Sequence, residues 1–187
     1  MPSPKGPPEL KHLDHILVSQ LAIKRRIAEL GAQLNQNYAK KDLMVVAIVN
    51  GALIFTADLL RQMRSPLRLD CLRASSYHTG TRAVGEPRIV DQMKLDVKDQ
   101  HVLLVDDILD TGKTLAAVAG LIKSKGAASV KTCVLLDKKA RRAVPFEADY
   151  VGFEIPNEFV VGYGLDFNER YRNLPCIGVL KPKYYAT

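Results

Sequence analysis

The residues with the clearest chemical content form one short run, Asp106-Asp107-Ile108-Leu109-Asp110-Thr111-Gly112-Lys113-Thr114, directly after the apolar stretch Val102–Val105. Small, hydroxylated and glycine residues lead into the start of a helix. Backbone N–H groups there point at an anion, and the helix dipole favours negative charge. Thr111 and Thr114 add hydroxyl donors, so the run reads as a cradle for a monophosphate. It is not a Walker A loop, which needs glycine five residues before Gly112, where Asp107 stands. Carboxylates beside the cradle would repel a polyphosphate. They suit sugar hydroxyls, a Mg²⁺ ion, or both. A phosphorylated ribose meets both demands, with its phosphate on the helix start and its hydroxyls facing the acids. Helix capping explains one of the three carboxylates. It does not explain two adjacent acids straight after an apolar strand.

The elements that must position this run can be read on either side of it. Ile23, Ile27, Leu30 and Leu34 recur at helical spacing, with Ser19 as N-cap. Leu43 to Val49 is a continuous, β-branched apolar run, expected to be a strand buried on both faces. Asn50-Gly51 breaks it, and a helical pattern runs on to about Met63. Leu67–Leu72 reads as a second strand. Ser75 to Val90 is polar and glycine-containing, and is expected to be a long mobile loop or a hairpin of functional kind. After the acidic run come an alanine-rich helix over about Lys113–Ser124, ended by Gly126, and a strand over Val130–Leu136. That strand–helix–strand unit crosses over right-handed and makes neighbouring parallel strands. Shorter strands follow near Tyr150–Phe153, Phe159–Val161 and Ile177–Leu180. The expected architecture is α/β with a mainly parallel sheet flanked by helices, and ligands on such sheets bind beyond the carboxyl ends of the strands.

Composition narrows the field. The chain has 187 residues, 47% hydrophobic and 25% charged, which fits one ordinary globular domain and excludes bulk disorder. No apolar run is long enough to span a bilayer. Residues 1–9 contain four prolines and read as a disordered arm rather than a secretory signal. Three scattered cysteines, Cys71, Cys133 and Cys176, make neither a disulfide framework nor a zinc site, so a reducing cytoplasm is expected. His12, His15, His78 and His101 have no metal-ligand spacing. Twenty-seven Lys and Arg against twenty Asp and Glu give a net charge of +7, which calls for an anionic partner.

The run Val105 to Thr114 resembles the phosphoribosyl pyrophosphate (PRPP) signature of type I phosphoribosyltransferases. Ser76-Tyr77 resembles the mobile catalytic loop of that group. Leu135-Leu136-Asp137-Lys138, the stretch YVGFEIPNEFVVGYGLD at 150–166, and Asn168-Glu169-Arg170-Tyr171-Arg172 are similar to the hypoxanthine-guanine phosphoribosyltransferase family. The likeness covers roughly residues 12–184. It implies a type I fold with a small hood built from the two chain ends (residues 10–187 as one domain). It also implies a Mg²⁺-dependent salvage reaction in which PRPP and hypoxanthine or guanine give IMP or GMP and pyrophosphate. A homodimer or homotetramer is implied as well.

The resemblance carries roles onto particular positions. Asp106 and Asp107 take the ribose hydroxyls, directly or through Mg²⁺. Asp110 is the general base for the purine's imidazole proton; its bland alternative is a helix cap. Thr111, Gly112, Lys113 and Thr114 wrap the 5′-phosphate. Lys138 donates to the oxygen at purine position six and so rejects adenine; alone it would read as one of a solvated basic run. Phe159 stacks on the base and Val160 offers backbone groups to its edge, the ordinary alternative being a core aromatic and a core valine. Asp166 borders the purine and is a Mg²⁺ candidate on the pyrophosphate side. Arg172 holds pyrophosphate oxygens. Ser76 and Tyr77 close over the sugar. One position departs from the family: Asn50 stands before Gly51 where many members carry Lys or Arg. The Asn50-Gly51 peptide, cis in some members, would meet pyrophosphate through its backbone.

Two other readings compete. One is a PRPP-sensing, nucleic-acid-binding regulator on the same fold, motivated by the +7 charge. The other is a xanthine- or guanine-preferring transferase. The charge is local: residues 123–142 hold seven Lys and Arg against one Asp, while the preceding run is acidic. That arrangement suits a Mg²⁺-bound sugar phosphate better than a nucleic-acid backbone, which is the less favoured partner.

Overall fold

The computed structural model describes residues 7–75, 78–79, 82–83, 88–89 and 93–186. In chain order the elements are β1 (Leu13–Val18), α1 (Gln20–Asn37), β2 (Leu43–Val49), α2 (Leu53–Leu60), β3 (Leu67–Ser75), β4 (His78–Thr79), β5 (Arg82–Ala83), β6 (Arg88–Ile89), β7 (His101–Leu109), α3 (Lys113–Ser124), β8 (Ser129–Asp137), β9 (Tyr150–Glu154), β10 (Val160–Val161) and β11 (Ile177–Leu180). Short 3₁₀ segments cover Pro8–His12, Lys139–Arg141 and Pro182–Tyr184. The first of these takes in Pro8 and Glu9, which the sequence assigned to the arm.

Five parallel strands in the order β3-β2-β7-β8-β9 form the central sheet, and β6 adds an antiparallel edge to β3. The runs buried on both faces supply it: in β2, Val45 packs with α1 on one side while Met44, Val46 and Ile48 pack with α3 on the other. The spacing read in α1 is the one buried, with Ile23, Ile27, Leu30 and Leu34 inward and the Ser19 hydroxyl accepting from the Ala22 N–H. A second, three-stranded antiparallel sheet, β1-β11-β10, joins the beginning and the end of the chain.

Three differences from the sequence reading have local causes. β1 went unread because Leu13–Val18 buries only its two ends and shows no alternation. α2 stops at Leu60, short of Met63, and the chain turns there through Gln62 and Met63 N–H bonds to Leu59 and Leu60 carbonyls. β7 runs four residues past Val105, so the acidic pair lies at the end of a strand rather than in a loop. β2 stops pairing at Ala47↔Val105, while β8 continues alongside through Asp106↔Val134 to Leu109↔Asp137. Within 75–90 the described backbone contains the β4–β5 antiparallel pair and β6, which is hairpin-like.

Candidate active site

The chain leaves β2 toward β3 on one side, and leaves β7 toward β8 and β9 on the other. The carboxyl ends of β2 and β7 therefore flank a topological switch point, where a crevice forms in open α/β sheets. Three segments meet there. Gly51 follows β2 and lies against the Asp107 side chain; a Cβ on Gly51 would stand 1.9 Å from Asp107 Oδ2. Gly164, beyond β10, lies against the Gly51 carbonyl at a φ of +105°, and a Cβ there would be 2.2 Å from that oxygen. Both positions need glycine because backbone or carboxylate fills the space a side chain would take. The cis peptide lies one residue earlier than the sequence reading put it, between Val49 and Asn50. The Asn50 side-chain oxygen accepts from Arg73 Nη2 at 3.5 Å.

Asp106 is 7% exposed, and its Oδ1 accepts the Asp107 N–H at 3.0 Å. Burial, and then the charge of Asp107, holds the Asp106 carboxyl well above the usual carboxylate range. Burial also raises Asp107, against hydrogen bonds from Asp106 and the backbone and the more distant Arg172 guanidinium. No Lys or Arg forms a salt bridge with either acid among the described residues. Immediately downstream, α3 begins at Lys113 with Gly112 at its N-cap and no side chain capping it. Near this end the Thr111 hydroxyl accepts the Lys113 N–H at 3.4 Å. The first-turn N–H groups are thus open to an anion, a few residues from two acids that need a cation or hydroxyls. The acid pair fits a Mg²⁺ ion of the kind held by one or two carboxylates and completed by substrate oxygens and water. A ready-made group of three or more metal-binding side chains is absent among the described residues.

The β8 end is built differently. Lys138 is 5% exposed and donates to the Glu158 carbonyl at 2.8 Å. Burial lowers its ammonium pKa; Asp110 pulls upward and Arg141 adds to the lowering. Asp137, 1% exposed, is bound by Arg142 Nη2. Arg141 Nη1 lies 3.3 Å from Asp110 Oδ2. Sequence reasoning left Arg141 and Arg142 in a solvated basic run, and nothing in their spacing distinguishes them.

The remaining residues divide. Arg172 pairs with Asp166 Oδ1 and Glu169 Oε2, each at 2.8 Å, and donates to the Gly164 carbonyl at 2.8 Å. That places Arg172 and Asp166 beside the Gly51–Asp107 contact. Both Asp166 oxygens are engaged, Oδ2 accepting the Glu169 N–H at 3.0 Å. Phe159 is half-buried and stacks on Tyr185, ring centroids 4.7 Å apart, with Phe167 edge-on at 5.6 Å. Tyr185 was not singled out in the sequence; its place within a tyrosine-rich chain end is the only signal. The Val160 side chain is buried in the core. Ser76 and Tyr77 lie outside the described residues.

Residues 15–168 match the family model described as phosphoribosyl transferase domain. That match defines the class, and relatives along nearly the whole chain narrow it. The hypoxanthine-guanine phosphoribosyltransferase of Streptococcus pneumoniae R6 is 47% identical over 171 residues, 91% of this chain and 95% of that protein. The bifunctional protein TilS/HprT of Listeria innocua is 46% identical over 174 residues; the match takes in 93% of this chain but spans only 27% of that longer protein. A solved hypoxanthine phosphoribosyltransferase from Staphylococcus aureus superposes with a TM-score of 0.90 at 42% identity, covering 95% of this chain and 97% of the other. The chain belongs to the hypoxanthine-guanine phosphoribosyltransferase family, and is an α/β phosphoribosyl-transferring enzyme. No helix among the described residues is long and apolar enough to cross a membrane.

Proposed function

We propose that this enzyme transfers the 5-phosphoribosyl group of PRPP to hypoxanthine or guanine, forming IMP or GMP and releasing pyrophosphate. The observation that carries the reading is the cation-less Asp106–Asp107 pair at the switch point, set directly ahead of the uncapped start of α3. A ribose 5-phosphate satisfies both at once: its hydroxyls, or a Mg²⁺ ion they share, meet the acids, and its phosphate meets Thr111, Gly112, Lys113 and Thr114. When bound, Mg²⁺ neutralises charge on the departing pyrophosphate. Asp106 and Asp107 would hold it, with Asp166 as the further candidate on the pyrophosphate side.

Beyond the sugar, Arg172 and the backbone at Asn50 and Gly51 receive pyrophosphate. On the other side, Lys138 turns its buried ammonium to the six-oxo group, Val160 offers its backbone, and Phe159 stacks on the base with Tyr185 behind it. An amino group at position six would set donor against donor, a strong form of discrimination. Asp110 accepts the imidazole proton as the purine nitrogen bonds to the anomeric carbon. The three-stranded sheet of the chain ends serves as the hood. The relatives' names support the purine and PRPP as substrates.

The test is direct. Purified protein is mixed with PRPP, Mg²⁺ and each purine in turn, and nucleotide is followed by chromatography. IMP and GMP should form and AMP should not. Turnover with adenine alone, or with none of the purines, would overturn the assignment.

A further inference from the structure

Asp110 is gripped at both ends by two consecutive arginines. Arg141 Nη1 stands 3.3 Å from its Oδ2. Arg142 Nη1 donates to its main-chain carbonyl at 2.5 Å and to that of Leu109 at 3.1 Å. Arg142 cannot drift, because its other nitrogen is bound to the buried Asp137 carboxylate. Two backbone bonds complete the tie: Lys138 N–H to the Leu109 carbonyl and Ala143 N–H to the Thr111 carbonyl, both 2.9 Å. The segment after β8 is thus sewn to the segment after β7 along the whole approach to α3.

The same grip leaves one atom out. Asp110 Oδ1 is buried and has no hydrogen-bond partner among the described residues. Buried acceptors are nearly always satisfied, so a bare one beside a crevice is addressed to a ligand.

We propose that Arg141 and Arg142 are positioning residues for Asp110, one turning its carboxylate and the other fixing its backbone, so that Oδ1 is the oxygen presented to the purine. This rests on the reading of Asp110 as general base. In the step it serves, the purine nitrogen forms the bond to the anomeric carbon and the bond to pyrophosphate breaks with its electron pair leaving on oxygen. The imidazole N–H proton passes to Asp110 Oδ1. The charged groups facing Asp110 are Arg141, Lys138 and Arg142 from the segment after β8, with Asp137 behind Arg142; Asp106 and Asp107 precede it on β7.

The experiment is steady-state kinetics of the full chain with PRPP, Mg²⁺ and hypoxanthine, with thermal melts as a fold control. Wild-type turnover is measured first; its absence would sink the proposed function rather than this inference. Given turnover, Arg141→Met should lower kcat by about tenfold with KM for PRPP unchanged, since misplacing a reacting group taxes chemistry more than binding. Arg141→Lys, which keeps a cation beside Asp110, should recover most of the loss. Arg142→Lys, which keeps a cation for Asp137 but loses the fork to the carbonyls, should lower kcat while melting close to wild type. Wild-type kcat in Arg141→Met would overturn the role of Arg141. An Arg142→Lys protein that melts earlier yet turns over normally while folded would reduce Arg142 to a strut. If that variant does not fold, Arg141→Met and Arg141→Lys still decide.

Discussion

β7 and β8 are adjacent parallel strands that end in step, Leu109 beside Asp137, and each carries buried acid at its carboxyl end. At β8 the acid is answered from within the chain: Asp137 has Arg142 Nη2, and Arg142 Nη1 donates to two main-chain carbonyls, while Arg142 Nε has no partner among the described residues. At β7 Asp106 accepts the backbone N–H of a second acid and has no salt bridge among the described residues, and burial, then the charge of Asp107, drives its pKa up. A buried charge with its partner built in is scaffold. A buried charge beside another of the same sign is a standing cost in the free protein, and makes sense where something arriving from solution removes it. The two ends thus divide the work: one is rigid before substrate comes, the other is completed by substrate.

Mutation can break that division, and the largest effect is expected on the self-sufficient side. Arg142→Met strands Asp137 in the interior, and removing one partner of a buried pair typically costs about 3–5 kcal/mol; urea denaturation would measure it, and a loss no larger than that of an exposed pair would contradict the scaffold role. Asp110→Asn touches the ligand-facing carboxylate. Its kcat should fall by about 10²–10³-fold with PRPP affinity largely kept, as expected for a general base; equal losses in kcat and binding would point to a binding role instead. Lys138→Ala should erode preference for six-oxopurines over adenine by about tenfold, read as a ratio of kcat/KM values. The smallest effect has the opposite sign. Asp106→Asn removes a buried like charge and should stabilise the ligand-free protein by about 1 kcal/mol while weakening PRPP binding, a trade expected where an active site carries strain for function. Calorimetry and a PRPP titration would check the two halves, and a destabilised variant would mean that Asp106 is satisfied in a way the free structure does not use.

Much of the frame was legible because burial leaves a periodic record. The helical spacing of Ile23, Ile27, Leu30 and Leu34, and the β-branched run from Leu43 to Val49, became α1 and β2 at the same residues. Lys113–Ser124 became α3 for a related reason: glycine before it and a buried stripe along it. The strand β1 left no such record, since it pairs with β11 along its length but buries only its two ends, Leu13 and Val18. The end of β7 was misread because strand length is decided by neighbours. Asp106 and Asp107 have poor strand propensity, yet pairing with β8 holds them extended.

The candidate site shows the same boundary. Asp106, Asp107, Asp110 and the threonine-glycine turn could be picked out by type and order alone, because hydroxyls, carboxylates and a helix start make a chemical sentence within nine consecutive residues. Lys138, Phe159, Asp166 and Arg172 could not; a lone charge or aromatic carries no local signal, and only resemblance raised them. What tertiary structure alone decided is which charges find partners. Arg141 and Arg142 look like two more members of a basic run, yet folding brings them to Asp110 and Asp137, while Asp106 and Asp107 form no salt bridge among the described residues. Sequence determines which residues can be buried and which can carry charge, because those are properties of side chains and their spacing. Whether a buried charge is balanced depends on how the chain turns back on itself, over five residues for Asp137 and Arg142 and between the ends of two strands for Asp110 and Arg141, and that is settled only when the sheet sets its strand ends side by side.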